Sequence, residues 1–486
     1  MNVKKTLAEH VYGELKEQIV SGRLKYGDRL PSMNSLCVFY NVGIRTVKDV
    51  MRRLKEEGYI RTEERKAAAV IYKAAPEDSG IHSVLQRKTS ILAVHETIYI
   101  LIPLLLSFSA SLFDEEELRQ MTRRITTLRR RHPKASEQAC RNCIYTMLER
   151  SHNLLFRDLF SSLETYARLP FFQDHGRFLE LVQEYNEFDS TAWVMGSIPS
   201  RDAHEITRRF RLMFKAVSSA IRRYLDEMHI RYGDVLEETS VEYAWAAERG
   251  RDHYYTQIVR DLINKIGTGF YKEGAFLPSE AALARQYKVS VSTVRRALSM
   301  LGELGFSKTL NGKGTVVFLQ SDSSTFQCMK NKTYRRDTML YLSGVQLMAI
   351  AVHPAALLAF DHIDRQTIQK LRQRTSRTGS IPLADLTRCV IDNQTLKPMK
   401  TILQELEKLM NWGYYFSFFS EGPSHADLLT KYSLTALEHL AGGRKDAFAS
   451  SLSECYCHIL SFVRDFMSRC GLPEAAGLLT PGIVSI

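Results

Sequence analysis

The chain repeats itself. Sliding its 486 residues along themselves by 247 brings Leu30-Pro31-Ser32 onto Leu277-Pro278-Ser279 without a gap. The same offset pairs Gly22 with Gly269, Gly27 with Gly274, Leu36 with Leu283 and Tyr40 with Tyr287. It continues through Val42 and Val289, Thr46 and Thr293, Val47 and Val294, Leu54 and Leu301, Gly58 and Gly305, Lys66 and Lys313, Val70 and Val317. Farther on, Phe113-Asp114 falls on Phe360-Asp361, and Leu181 and Tyr185 fall on Leu428 and Tyr432. After a shift of three residues, Arg201-Asp202-Ala203 meets Lys445-Asp446-Ala447, each opening a long amphipathic stretch. A repeat of this period is one unit written twice, so whatever fold is inferred has to serve both copies.

Charge follows the repeat. The formal balance is 66 Lys and Arg against 54 Asp and Glu, a net +12. Residues 1–75 hold 15 against 9 and residues 251–320 hold 10 against 5, whereas the remaining 341 residues hold 41 against 40. Nearly the whole excess therefore sits in two short segments, as expected of small modules that meet a polyanion on a neutral chassis. With 44% hydrophobic residues the bulk of the chain has enough apolar material to bury, which excludes disorder.

The eight cysteines show no framework spacing, and the first ten residues lack the apolar core of a signal peptide, so a reducing cytoplasmic setting is the simplest expectation. Thr97 to Phe113 runs 17 residues without a charge but contains Pro103. It falls short of the roughly 20 residues that span a bilayer, so it is expected to be a buried bundle helix, with a membrane-associated sensor as the rival reading.

In the second copy, Tyr254–Gly267 has helical periodicity, with Ile258, Val259, Leu262, Ile263 and Ile266 on one side. Gly269 and Gly274 turn the chain, and Ser279 caps a short helix behind Pro278. After Tyr287-Lys288-Val289, either Ser290 or Ser292 caps the next helix, which buries Val294, Ala297, Leu298 and Leu301. Its other face presents Ser292, Thr293, Arg295 and Arg296. Gly305 stops it, and Asn311-Gly312 marks a hairpin carrying Lys313 and Gly314 at its tip. A short helix, a tight turn and a helix that starts with hydroxyls and guanidinium groups is helix-turn-helix chemistry: the second helix reaches base edges while flanking groups hold phosphates.

Segment 254–318, through LPSEAALARQYKVSVSTVRRALSMLGELGF and NGKGTVV, resembles the winged helix-turn-helix of the GntR family of bacterial transcription regulators. Segment 12–72 resembles it too, through SGRLKYGDRLPS, TVKDVMRRLKEEGYI and ERKAAAVIY. Where the family commonly has an Arg after the Ser that begins the recognition helix, this chain has Val291 and Ile44. The place of Ser290 is Gly43 in the first copy, and the first wing reads Arg65-Lys66-Ala67 in place of Gly-x-Gly. The resemblance implies that the second copy reads bases through Ser290, Ser292, Thr293, Arg295 and Arg296, with Lys313 and Gly314 as the wing. The first would mainly hold phosphate through Arg45, Thr46, Lys48, Arg52 and Lys66.

Residues 81–240 and 328–475 lack strand alternation and read as all-α bundles. Segments 143–173 and 446–464 resemble the helical effector domain of the family branch that includes the fatty-acid regulator. Many members of that branch hold a metal on an Asp and three His; here Ile144 and Met213 or Phe214 stand where His is expected and His458 remains in the second copy, so no metal site is expected. Cys140-x-x-Cys143 and Cys455-x-Cys457 read as structural cysteines on helices. No nucleophile set, P-loop or dinucleotide turn appears, so an enzyme is not expected.

The expected architecture is mainly α: winged helix-turn-helix domains at 1–75 and 250–320, each with a small β wing, followed by helical bundles at 81–240 and 328–475. Ala74–Gly80 and Gln320–Thr325 read as linkers, and the junction near Glu238–Arg249 reads as continuous with a helix. The implied partners are a double-stranded DNA operator and a small-molecule effector of unknown identity, with no cofactor. One chain would act as a pseudo-dimeric monomer or as a homodimer. The competing class is an interaction scaffold that binds DNA only non-specifically.

Overall fold

The computed structural model describes residues 7–20, 24, 26–40, 42–62, 67–72, 84–131, 133–167, 169, 180–181, 184, 190–233, 235–236, 242–247, 254–267, 269–318, 329–330, 332–375, 382–410 and 424–482. Both expected linkers lie outside these residues.

The first copy begins with α1 (Leu7–Val20), α2 (Met33–Tyr40) and α3 (Ile44–Glu56), then β1 (Ile60–Arg61) and β2 (Ala69–Val70). A helical unit follows: α4 (Lys88–Ala110), α5 (Glu115–Arg131), α6 (Pro133–Arg150), α7 (Phe156–Ala167), α8 (Ser190–Met195) and α9 (Ala203–Tyr232). The second copy repeats the order with α10 (Tyr254–Gly267), α11 (Glu280–Tyr287), α12 (Val291–Glu303), β3 (Ser307–Leu310) and β4 (Gly314–Val317). Its helical unit is α13 (Lys332–Phe360), α14 (Arg365–Thr375), α15 (Pro382–Asp392), α16 (Lys397–Met410), α17 (Ser424–Ala441) and α18 (Lys445–Arg469).

In the small modules the repeat is kept residue for residue. Both ends of α1, α2 and α3 return 247 residues later as α10, α11 and α12. Each wing is an antiparallel hairpin, Ile60 facing Val70 and Ser307 facing Val317. A bridge from the entry strand completes each sheet, Arg29 to Ala69 and Phe276 to Val316, again at the same offset.

The helical units have drifted. Asp114 caps α5, accepting from Glu117 N at 2.7 Å. The corresponding cap of α14 is Asp364, accepting from Thr367 N at 2.6 Å, three residues beyond the Asp361 that the repeat pairs with Asp114. Asp202 caps α9 through His204 N at 2.9 Å and Glu205 N at 3.1 Å, whereas its counterpart Asp446 lies inside the first turn of α18. A proline interrupts each central helix, Pro103 in α4 and Pro354 in α13.

α4 and α13 are apolar around most of their circumference and long enough to cross a membrane; 67% and 89% of their apolar windows are buried within the protein. Such helices must be wrapped on all sides. α4 lies against α7 and α9, and α13 against α16 and α18. The uncharged run from Thr97 is thus bundle core as far as Ala110, with a turn before the buried Phe113.

The two helical units also pack on each other, α4 meeting α13 and α16. Their seam is pinned by polar groups removed from water. The Asn153 side-chain oxygen starts α7 by accepting from Leu155 N at 2.8 Å and Phe156 N at 3.2 Å. Its Nδ2 donates across the seam to Ser343 O at 2.9 Å and to Gln346 Oε1 at 2.7 Å, and Leu154 N donates to Ser343 Oγ at 3.1 Å. Gln346 in turn donates to Leu479 O at 2.6 Å, so the end of the described chain closes over the same point.

The junction between the copies corrects the sequence reading. Residues 242–246 form no helix; they run extended, with Tyr243, Trp245 and Ala247 buried and the residues between them exposed. Trp245 Nε1 donates to Asp158 Oδ2 at 3.1 Å, and Tyr243 OH donates to Ser162 Oγ at 3.2 Å. A helix would place these aromatic rings on different sides, whereas a period of two lays both along α7.

The small modules differ in how they sit. The core of the second (Val259, Leu262, Val294, Leu301, Phe306) is continuous with the helical core. The core of the first (Val11, Leu15, Val47, Leu54, Val70) is a separate cluster.

Asn153→Ala removes a helix cap and takes from the Gln346 side-chain oxygen its donor across the seam. We expect it to cost about 2–4 kcal/mol of stability in urea unfolding followed by circular dichroism. A loss below about 0.5 kcal/mol, the scale of an ordinary surface change, would show that the seam does not depend on these bonds.

Candidate nucleic-acid interface

In the second small module each helix is started by the serine the sequence pattern points to. Ser279 Oγ accepts from Ala282 N at 3.2 Å and opens α11. Lys288, at a left-handed φ of 53°, makes the tight turn. Ser290, one of the two alternatives, is the cap of α12, accepting from Thr293 N at 3.3 Å. Its Oγ also lies 2.8 Å from Ser292 Oγ and 2.9 Å from Thr293 Oγ1. Three hydroxyls are thereby gathered at a helix N-terminus, where unpaired amides and the helix dipole favour an anion.

Along α12, Val294, Ala297, Leu298 and Leu301 are buried while Val291, Ser292, Arg295 and Arg296 are exposed. The two arginines diverge. Arg295 closes a two-pronged pair with Glu280 of α11, Nε to Oε2 at 3.2 Å and Nη2 to Oε2 at 2.8 Å, with Oε1 at 3.3 Å from Nε. The pair is exposed, so it adds little stability; its effect is to aim the guanidinium. Arg296 lies with its guanidinium carbon 4.1 Å above the ring centroid of Tyr255 in α10. Neither Glu280 nor Tyr255 was legible as a positioning residue, because each stands far from its arginine in sequence.

The wing turns at Asn311, Gly312 and Lys313, and Lys313 and Gly314 are exposed. Gly314 has φ 112°, and a Cβ there would meet the Phe276 ring at 3.7 Å, so backbone conformation rather than space demands glycine.

The first module has the same frame and different chemistry. Gly43 stands at the N-cap of α3 with no side-chain hydrogen bond. Arg45 and Lys48 are exposed, and Thr46 is partly buried. Arg52 is tied to Asp49 at 3.3 Å and lies 4.0 Å from Glu56. Lys66 lies outside the described residues. At the repeat offset Glu280 becomes Met33, Arg295 becomes Lys48 and Arg296 becomes Asp49. The carboxylate that aims the arginine is therefore lost together with the arginine, and an acid replaces the second cation.

A further contrast lies between the first and third helices. Glu57 accepts from Tyr12 OH and pairs with Arg53 at 3.0 Å and Lys16 at 3.5 Å. Arg53 stacks 3.8 Å over Tyr12, and Lys16 lies 5.0 Å from the Tyr59 ring centroid. The Tyr12 hydrogen bond, with help from Arg53, holds the Glu57 carboxyl below its usual range. In the second module the same places are Val259, Ile263, Met300, Leu304 and Phe306, all buried.

Among the described residues no three His, Cys, Asp or Glu gather as a metal-ligand set. His458 packs edge-on to Tyr432 with ring centroids 5.6 Å apart. Cys140 and Cys143 are buried and unbridged.

Residues 7–70 and 254–317 each match the model of the gntR family of bacterial regulatory proteins. The chain is 41% identical over 63 residues to the HTH-type transcriptional regulator TreR of Bacillus subtilis (strain 168), covering 13% of this chain and 26% of that protein. It is 30% identical over 130 residues to the uncharacterized HTH-type transcriptional regulator YdfD of the same organism, covering 27% and 23%. The chain thus spans about a quarter of the length of these curated relatives. Among solved structures, E. coli McbR/YncC aligns at TM-score 0.23 and 16% identity over 44% of this chain and 98% of its own. Streptococcus agalactiae GntR aligns at TM-score 0.21 and 18% identity over 43% and 99%.

The caps make a direct test. Ser290→Ala should destabilise α12 by about 1 kcal/mol, while Gly43→Ser should stabilise α3 by only a few tenths, because glycine is itself a tolerable cap. Hydrogen exchange of the two helices reads both changes. Faster exchange in α12 with α3 nearly unchanged is the expected result, and the reverse order would contradict it.

Proposed function

We propose that this chain, which carries the winged-helix domain of the GntR family of bacterial regulatory proteins twice, is a cytoplasmic, ligand-responsive transcription regulator in which one chain supplies two DNA readers. The observation that supports this most is that both copies keep the entry turn, the two-helix corner and the wing in one register, with a cation at Lys48 and Arg295. We take the modules as 1–75, 81–240, 250–320 and 328–475, with the helical units receiving the effector. The family and the matched relatives are transcription regulators, and no catalytic role is assigned to any residue.

In this reading α12 enters the major groove, with Ser290, Ser292, Thr293, Arg295 and Arg296 at the base edges and Lys313 and Gly314 of the wing beside the backbone. Arg295, aimed by Glu280, is the residue best prepared for two-pronged recognition of guanine. The first module contributes mainly phosphate contacts through Arg45, Thr46, Lys48, Arg52 and Lys66. The operator is then asymmetric, with one strong and one weak half-site, and a single chain takes the part that two protomers play on a two-fold operator.

The tethering of Arg296 on Tyr255 and of Arg52 on Asp49 favours a second reading, a scaffold whose winged helices bind DNA without sequence preference. A genomic footprint followed by fluorescence anisotropy separates the two. Replacing Arg295 and Arg296 by Ala should abolish the preference for the footprinted site, each base left unread weakening it by roughly 1–3 kcal/mol. Replacing Arg45 and Lys48 should weaken binding to all sequences and lower the salt slope by about one for each phosphate no longer neutralised. Equal loss of specificity from both pairs would remove the proposed asymmetry, and no preferred site at all would favour the scaffold.

A further inference from the structure

The two wing sheets share one backbone and differ on their outer faces. In the first, Ala69 of β2 stands between two arginines: its register partner on β1 is Arg61, and its bridge partner on the entry strand is Arg29. Residues paired across an antiparallel ladder point to the same side of the sheet. Leu30, Ile60 and Val70, the neighbours of that row, are buried in the core of the module. The row Arg29, Ala69, Arg61 therefore faces outward, and both arginines are exposed. The small Ala69 leaves the row low in its middle. There the face dips into a cleft of about 260 Å³, with Tyr26 and Ile71 joining the two arginines in its wall. Among the described residues that line it, none is acidic.

The second copy lacks this arrangement. At the repeat offset the row reads Phe276, Val316, Lys308, with Glu273 in the place of Tyr26 and Phe318 in that of Ile71. Lys308 Nζ lies 5.9 Å from the ring centroid of Phe318, and the Phe276 ring lies close to Gly314. An aromatic ring thus replaces one guanidinium and an acid enters nearby, so the two-arginine row belongs to the first copy.

Guanidinium forks match the oxygens of a phosphate. Adjacent strands lie about 4.8 Å apart, so the backbones of Arg29 and Arg61, two strand spacings from each other, are separated by about 10 Å. Two long side chains over that distance can close on one phosphate from both sides or take neighbouring phosphates of one strand. The openness of the cleft selects among anions. A small-molecule site buries most of its ligand, whereas Tyr26 in this wall is 61% exposed. An open cationic row suits an extended polyanion that passes over it. The module that carries the row also holds one of the two charge excesses of the chain, 15 Lys and Arg against 9 Asp and Glu in residues 1–75.

We infer that Arg29 and Arg61 hold backbone phosphates of duplex DNA on the outer face of the first wing sheet. The inference rests on the reading of the chain as a DNA-binding regulator and adds a contact surface outside the recognition helix and the wing tip. It gives the first copy a grip that its helix start, with Gly43 at the cap, does not supply, and one that carries no sequence information.

The test follows binding of the full chain to duplexes of unrelated sequence by fluorescence anisotropy over a range of salt, so no preferred site is required. Arg29→Gln combined with Arg61→Gln should weaken binding to every duplex by roughly 10-fold, the loss expected for a charged hydrogen bond. It should also flatten the dependence of log affinity on log salt by about one for each phosphate released. Arg29→Lys with Arg61→Lys keeps both charges and should keep the slope, which guards against a Gln variant that fails to fold. Arg222→Gln with Arg231→Gln removes the same charge from exposed positions on α9 and should leave the slope of the wild type. Inorganic phosphate at constant ionic strength should give the wild type no saturable heat in calorimetry.

An unchanged slope in the Gln variant of the cleft, an equal fall in the α9 variant, or a fall as large in the Lys variant overturns the inference. So does a loss confined to one sequence, the mark of base reading, or a saturable phosphate heat that the Gln variant loses, the mark of a site for a free anion. In each of these cases the wild type still binds DNA and only the cleft is refused. A wild type that binds no duplex at any salt refuses the DNA-binding reading itself, and the cleft with it.

Discussion

Two long apolar helices, Lys88–Ala110 and Lys332–Phe360, impose the constraint on which the rest of the molecule depends. A helix with little polar surface cannot border water, so each has to be enclosed by its own bundle and by the neighbouring copy. Enclosure brings the central helices together at the seam, and the buried polar groups there have to find partners across it. Asn153 does so with Ser343 and Gln346. The extended strap carrying Tyr243 and Trp245 then lies along α7 and leads into the second winged helix.

Duplication supplied two equal modules, and burial made them unequal. In the second, Val259, Ile263, Leu304 and Phe306 are apolar and belong to one core cluster with the bundles. In the first, Tyr12, Lys16, Glu57 and Tyr59 take those places, forming a cation–aromatic net around one carboxylate. Such a surface costs little to leave in water, which fits a module whose core stands apart. The same divergence runs through the outer face: Ser290, Glu280 and Arg295 form a set in which cap and carboxylate orient the helix start, and Gly43, Met33 and Lys48 do not.

Local sequence rules reached far in the small modules. The helix at Tyr254–Gly267, the Ser279 cap, the stop before Gly305 and the hairpin at Asn311-Gly312 follow from periodicity, capping and turn chemistry that act within a few residues. They reached less far in the bundles, where caps can slide past the copied sequence. Asp364 serves α14 although the repeat points to Asp361, because this helix starts three residues later than its counterpart and the acid beside that start takes the cap. The junction at residues 242–247 was misread as helical, yet Tyr243 and Trp245 alternate with small residues, a strand-like signal too short to outweigh the long helix before it.

The sequence by itself determined that one unit is written twice, that each copy holds a winged helix and an apolar helical bundle, and which cations begin each recognition helix. The repeat shows when the chain is laid on itself, and the other features rest on interactions within a turn or two of the chain, so a short window of residues shows them. The tertiary structure alone decided which side chains aim those cations, Glu280 for Arg295 and Tyr255 for Arg296. It alone set Asn153 of one unit against Ser343 and Gln346 of the other. Pairings between residues 15 to 193 positions apart depend on how helices pack, and packing is settled by the shape of the whole core rather than by any one segment of it.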